Sequence, residues 1–175
     1  MIDWPTIGGA LSDVYHDAFR RLWELMRDDL MDALDTNSST QIWLFGHSFG
    51  GGLASIASVT VAAQGLADPD RITLYTFGQP RITDASCAKR HDELVTLIKG
   101  KLAQNWKHFK EFIFNMREAT FQVWYPYGMG HGSRYMLASM AEDGRASSSL
   151  INLSLLDNIM MFDRNVLEWW KEGCK

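Results

Sequence analysis

Cysteine is scarce in this chain, and so are long apolar runs, an excess of one charge and sequence repeats. The 175 residues hold two cysteines, Cys87 and Cys174. They lie too far apart for a metal clip and no third ligand accompanies them. The sequence therefore points to no metal site, and it leaves a disulfide between the two open. No stretch approaches the roughly 20 apolar residues of a membrane-spanning helix. Met1 to Ala10 lacks a basic start followed by an apolar block, so no signal peptide is read there. A net charge of −4 provides no basic footprint, which argues against nucleic acid as a partner.

What is present is an ordinary globular composition, 46% apolar and 22% charged. The length suits a single domain over residues 1–175 with a sizeable core. Asn37-Ser38-Ser39 and Asn152-Leu153-Ser154 fit the glycosylation acceptor pattern, but so short a pattern leaves the compartment unknown.

Hydrophobic periodicity organises the first half. A helix capped by Ser12 is expected to turn Val14, Ala18, Leu22, Leu25 and Met26 inward and Arg20, Glu24 and Arg27 outward, fading near Asp35. Ile42 to Phe45 reads as a buried strand and Phe49 to Gln64 as a helix, broken by "GLADPD". Arg71 to Phe77, rich in β-branched and aromatic residues, reads as the next strand. Strand, helix, strand in this order implies a parallel βαβ unit and an α/β fold.

Further on, "ASCAKRHDELV" reads as a helix. From Thr96 to Phe114, Ile98, Leu102, Trp106, Phe109 and Ile113 recur at helical spacing beside Lys99, Lys101, Lys107 and Lys110. That pattern fits a solvated face over a packed stripe, with binding to an anionic lipid surface as the alternative. Phe121 to Tyr125 reads as a strand, Pro126 to Gly132 as a loop, and Leu155 to Trp170 as a helix.

The chemistry concentrates at Gly46-His47-Ser48-Phe49-Gly50, which matches G-x-S-x-G. With a strand before it and a helix after it, this pattern is a nucleophile elbow, a sharp turn that raises a serine hydroxyl above the end of a sheet. Ser48 is the candidate nucleophile. The Phe49 backbone N–H, just after it, is a candidate oxyanion donor. The following helix directs its positive N-terminal end at the serine. Gly51, Gly52, Ala54, Ala57 and Ser58 are small, as a helix pressed against a sheet requires.

These residues resemble the class 3 (fungal-type) lipases, particularly their nematode lipase-like branch. The resemblance rests on "IWLFGHSFGGGLASIAS" from Ile42 and "LYTFGQPRITD" from Leu74. It extends to "DAFRRLWELMRDDL" from Asp17, "RHDELV" from Arg90, "VWYPYGMG" from Val123 and "FDRNV…W…GC" from Phe162. It implies a partial α/β-hydrolase fold with a mostly parallel sheet. It also implies cleavage of lipid carboxylic esters by a Ser-His-Asp triad, a lipid or small ester as substrate, no cofactor, and a secreted or endomembrane location.

The acid and the base of that triad are not found where the resemblance places them. Counting forward from "FGQPR" and "RHDELV" puts the acid at Trp106, and no aspartate occurs from Glu93 through Gly128. The loop supplying the second oxyanion donor is expected upstream of Met1, so the domain reads as N-terminally truncated. Residues 96–122 read as an atypical insert replacing the acid/base region. Phe121-Gln122 can be encoded by TTTCAG, which resembles an intron's 3′ end, so the insert reads as translated intron.

Chain order, which in this fold runs Ser, acid, His, constrains any substitute. His131, on the Gly-rich loop "GMGHGS" after the serine, is the candidate base. His47 is expected to pack, His16 to lie on a solvated helix face, and His91 and His108 to be surface residues. Asp84, Asp92, Asp143 and Asp157 are expected to be surface or capping carboxylates. Three readings follow: an impaired lipase-like ester hydrolase, an inactive lipid- or protein-binding homologue, and a mis-spliced, poorly folded fragment.

Overall fold

A hairpin of two short strands, β1 (Ile2–Asp3) and β2 (Ala10–Leu11), leads into the long helix α1 (Asp13–Thr36). Strand β3 (Ile42–His47), helix α2 (Phe49–Ala63), a 3-10 turn at Pro69–Arg71 and strand β4 (Ile72–Phe77) follow, and then helix α3 (Ala85–Thr96). The last elements are β5 (Gln122–Trp124), β6 (Met136–Ala138), β7 (Met160–Met161), β8 (Arg164–Asn165) and α4 (Val166–Lys171). The computed structural model describes residues 1–37, 39–77, 79–96, 122–125, 127, 130, 132–138 and 159–174. His108, His131, Asp143, Asp157 and most of the 96–122 segment lie outside the described residues.

The α/β expectation holds. β3 and β4 run parallel, in register from Ile42 opposite Ile72 to His47 opposite Phe77, with α2 as the crossover. The other described pairs, β1 with β2, β5 with β6 and β7 with β8, are short and antiparallel. Alternation along β3 and β4 divides the ladder into two faces. Ile42 and Ile72 are buried on the α2 side, while Trp43 and Phe45 are exposed on the other. There Phe45 stacks on its rung partner Tyr75, with ring centroids 5.1 Å apart.

α2 is the central helix. It carries no charged residue, and it is buried at Gly51, Gly52 and Ala54 through Val61. β3 and β4 pack against it, as do α1 and α3. Such close approach is the physical use of its small residues. A Cβ on Gly52 would meet the ring of Tyr15 from α1, with its Cδ1 2.9 Å away. Around α2, Leu11, Phe19, Leu34, Ile42, Ile56, Val59, Val61 and Ile72 form the core.

Two expectations are corrected here, and one open question is answered. α1 buries Phe19 and Leu34 and partly buries Tyr15, Trp23 and Leu30, leaving Val14 63% and Leu25 79% exposed. Both stripes recur at helical spacing. The aromatic one faces the core because Tyr, Phe and Trp remove far more surface from water than Val and Leu. Arg20 and Glu24 do face outward, paired at 2.8 Å.

The helix expected from Leu155 to Trp170 is interrupted: residues 160–165 form a hairpin, and residues 155–158 lie outside the described residues. Phe162 and Asp163 both take left-handed φ, 53° and 61°, between β7 and β8. Positive φ at both central residues is the pattern of a two-residue hairpin turn. α4 then starts at Asn165, whose Oδ1 accepts from the N–H groups of Leu167 and Glu168 at 3.1 and 3.3 Å.

Finally, both cysteines are free. Cys87 is buried in α3 and Cys174 is exposed near the end of the chain, so no disulfide joins them.

Candidate active site

The turn between β3 and α2 is built by backbone before any side chain matters. Ser48 sits at φ 51°, ψ −120°, a conformation that costs a non-glycine residue about 1–3 kcal/mol and persists only when its surroundings impose it. The surroundings do so on both sides. Its N–H donates to the Phe77 carbonyl at 2.8 Å, which continues the β3–β4 ladder by one bond. Its own carbonyl accepts from the Gly51 N–H at 3.0 Å, the first bond of α2. Pinned at both ends, the residue has no room to relax.

The two glycines of the motif have different tasks. A Cβ on Gly46 would run into the Gly50 carbonyl and come 2.6 Å from the Gly51 Cα, so the strand and the helix start can close only over a glycine. A Cβ on Gly50 would meet nothing within 4 Å. The backbone of Gly50, rather than its missing side chain, is what Gly46 must clear. Gly51 is close to the "FGQPR" block, its virtual Cβ lying 3.2 Å from the Gln79 Cβ.

Ser48 is half-buried and His47 is exposed, so His47 is not the packing residue that the sequence suggests. Phe49 opens α2, and its backbone N–H belongs to the first turn, whose N–H groups have no partner within the helix. No acidic residue occupies that turn, so its partial positive charge is not offset there. The Phe49 ring stacks on Tyr15 with centroids 4.4 Å apart and planes 28° apart. Partial burial at that contact pushes the Tyr15 phenol above its usual range.

The other candidate residues lie elsewhere. His16 is on α1 with its Nδ1 3.2 Å from the Asp17 carboxylate. Asp84 caps α3. It accepts from the Cys87 N–H at 2.8 Å and from the Ser86 hydroxyl at 2.9 Å. These backbone hydrogen bonds, first from Cys87 and then from Ala10, hold its carboxyl below the usual range. This is the capping role expected of it. His131, the candidate base, lies outside the described residues.

His91 is a correction. It is buried rather than on the surface, 5% exposed, with its Nε2 2.8 Å from the Ser55 hydroxyl on α2. Burial pushes its pKa down to about 3, against a smaller upward effect of the Ser55 backbone. Sequence reasoning missed this pair. The available signal was spacing, since Cys87, His91 and Leu94 share one face of α3. Among the described residues, no group of three or more His, Cys, Asp or Glu is placed to hold a metal.

A parallel strand–turn–helix with a strained serine at its apex, between Gly46 and Gly50, has the geometry of the elbow in the α/β-hydrolase fold. The profile of the Lipase (class 3) family matches residues 3–115, and the chain belongs to that family. The match runs into the segment beyond α3. The chain is similar to Lipase ZK262.3 of Caenorhabditis elegans, 25% identical over 87 residues, which cover 50% of this chain and 24% of that protein.

Solved structures share the fold. Lipase II from Rhizopus niveus superposes with a TM-score of 0.70 at 16% identity, covering 94% of this chain and 63% of that one. Rhizomucor miehei triacylglyceride lipase gives 0.69 at 17%, with the same coverage. Lip2 lipase from Yarrowia lipolytica gives 0.61 at 17%, covering 86% of this chain and 55% of that one. The chain therefore spans about a quarter of its curated relative and under two thirds of these fungal lipases.

Proposed function

We propose that this chain carries the nucleophile-bearing part of a lipase-like carboxylic ester hydrolase, acting on lipid or small ester substrates in lipid metabolism. The observation behind this reading is Ser48 at φ 51°, raised between the end of β3 and the N-terminus of α2. In the proposed reaction the Ser48 hydroxyl attacks the ester carbonyl. The developing oxyanion is received by the Phe49 N–H and favoured by the helix dipole. An acyl-enzyme forms and the alcohol leaves, and water then attacks the acyl group and frees the acid. His131 is the proposed base, taking the serine proton and returning it to the leaving alcohol. One structural neighbour is a triacylglycerol lipase whose catalytic centre is formed by a serine protease triad, which supports a triad mechanism for the intact family fold.

Turnover by this chain is proposed to be impaired, because the resemblance supplies neither acid nor base at the expected positions. A second reading, an inactive lipase-like binding protein, draws support from the histidines. His91 is committed to Ser55, and His16 faces Asp17. A fluorophosphonate probe separates the two. Labelling of the native chain that is lost in both Ser48→Ala and His131→Ala supports a live nucleophile with that base. A folded chain that takes no label supports the binding reading.

A further inference from the structure

Among the described residues, α3 is held to the molecule by one narrow row of side chains. Cys87 and His91 are buried on its inner face, and Leu94 is half-buried beside the core. His91 is the polar member of the row, and its partner Ser55 is 3% exposed. The Ser55 carbonyl accepts from the Ser58 hydroxyl at 2.8 Å, so Ser58 is engaged with backbone.

Nothing described near the imidazole balances a positive charge. α2 has no titratable side chain from Phe49 to Ala63, and β2, which also packs against α3, has only Ala10 and Leu11. On α3, Lys89, Arg90 and Glu93 are exposed, and the Asp92 side chain lies outside the described residues. The Cys87 thiol, one turn before His91, is kept neutral by burial, its pKa pushed up to about 11. The Asp84 carboxylate is occupied by the Cys87 N–H and Ser86. A neutral ring is satisfied by Ser55. Among the described residues a charged ring at this place has no counter-ion, and it must reach water.

Among the described residues, α3 supplies Cys87 alone to the apolar core cluster, whose larger part lies on α1, α2, β3 and β4. Segments with few buried apolar anchors open first. We propose that the Ser55–His91 pair is an acid-operated latch: protonation of His91 in mildly acidic solution frees α3 from α2 while the β3–α2–β4 unit stays folded. The release reaches the N-terminal hairpin, since Leu11 bridges Thr83 and the Asp84 N–H donates to the Ala10 carbonyl at the start of α3.

Burial lowers the folded pKa of His91 to about 3, below the ordinary 6.5. The latch is therefore intact above about pH 6.5 and loosens as pH falls from there toward about 3, by up to about tenfold per pH unit.

Hydrogen exchange on the full chain between about pH 7 and pH 5, corrected for intrinsic exchange rates, tests this. The α3 amides are expected to lose protection by up to about tenfold per unit below pH 6.5 and, at every pH, to be less protected than those of α2 and β3, which exchange only on global unfolding. His91→Gln, which retains a hydrogen-bonding group and cannot titrate, is expected to remove that pH dependence. Ser55→Ala keeps the imidazole, so it should weaken α3 protection at every pH and retain the slope, which serves as the control should His91→Gln not fold. Flat α3 protection in the wild type overturns the latch. So does α3 protection equal to that of α2 at every pH, or the same slope in a folded His91→Gln.

Discussion

The ring of Tyr15 on α1 lies stacked on the ring of Phe49, the residue after the elbow serine, with centroids 4.4 Å apart. The same ring covers Gly52. One aromatic side chain thus ties α1 to the first turn of α2, where the proposed oxyanion donor sits. Tyr15→Ala removes the stack and opens a gap above Gly52. Full truncation of a buried aromatic costs about 3–5 kcal/mol, and for this half-buried ring about 2 kcal/mol is expected. A urea midpoint measurement reads it. An unchanged midpoint would show that α1 is held by Phe19 and Trp23 without Tyr15.

Gly46 and Gly50 look equivalent in G-x-S-x-G and should behave oppositely. Gly46→Ala drives a methyl into the Gly50 carbonyl, so loss of cooperative folding or a shift of more than about 3 kcal/mol is expected. Gly50→Ala places its methyl in open space on a helix, where alanine is favoured over glycine by about 0.5–1 kcal/mol. Thermal melts of the two variants make the comparison. Equal destabilisation would mean the turn closes differently from the arrangement described.

The two thiols should be separable by reactivity. Cys174 is exposed, while burial raises the Cys87 pKa to about 11, leaving little thiolate at neutral pH. Ellman titration of the native chain should therefore count one fast thiol, and titration in denaturant should count both. Two fast thiols in the native protein would place Cys87 outside the core.

Acid should destabilise the whole chain as well as the α3 latch. The folded pKa of His91 lies below its unfolded value, so its stabilising contribution is complete above about pH 6.5. It is lost as pH falls from there toward about 3, at up to about 1.4 kcal/mol per unit. Asp84 acts in the same direction, since its depressed pKa favours the folded state until its carboxylate protonates. Denaturant midpoints should fall between about pH 7 and pH 5, with His91→Gln removing most of the slope in that range. A slope unchanged in His91→Gln would assign the acid sensitivity to other groups.

The legible parts of the chain were those in which covalent order and local pattern leave one solution. "IWLFGHSFGG" places a strand, a strained turn and a small-residue helix in sequence. "RITLYTF" supplies the second strand, and a strand–helix–strand order pairs the two in parallel. Local pattern was not enough for α1, where an aliphatic and an aromatic stripe both have helical spacing. Nor was it enough near Phe162, where two left-handed residues make a hairpin inside a run that reads as a helix.

The sequence by itself determined the family elbow: a glycine at 46 because nothing larger clears Gly50, and a serine between a strand end and a helix start. Only the tertiary structure decided which side of α1 meets the core, and that His91 faces Ser55 instead of water. The physical reason is that the elbow rests on contacts between residues a few positions apart. Burial of Tyr15, Phe19 and His91 depends on packing against α2, whose partners come from distant parts of the chain.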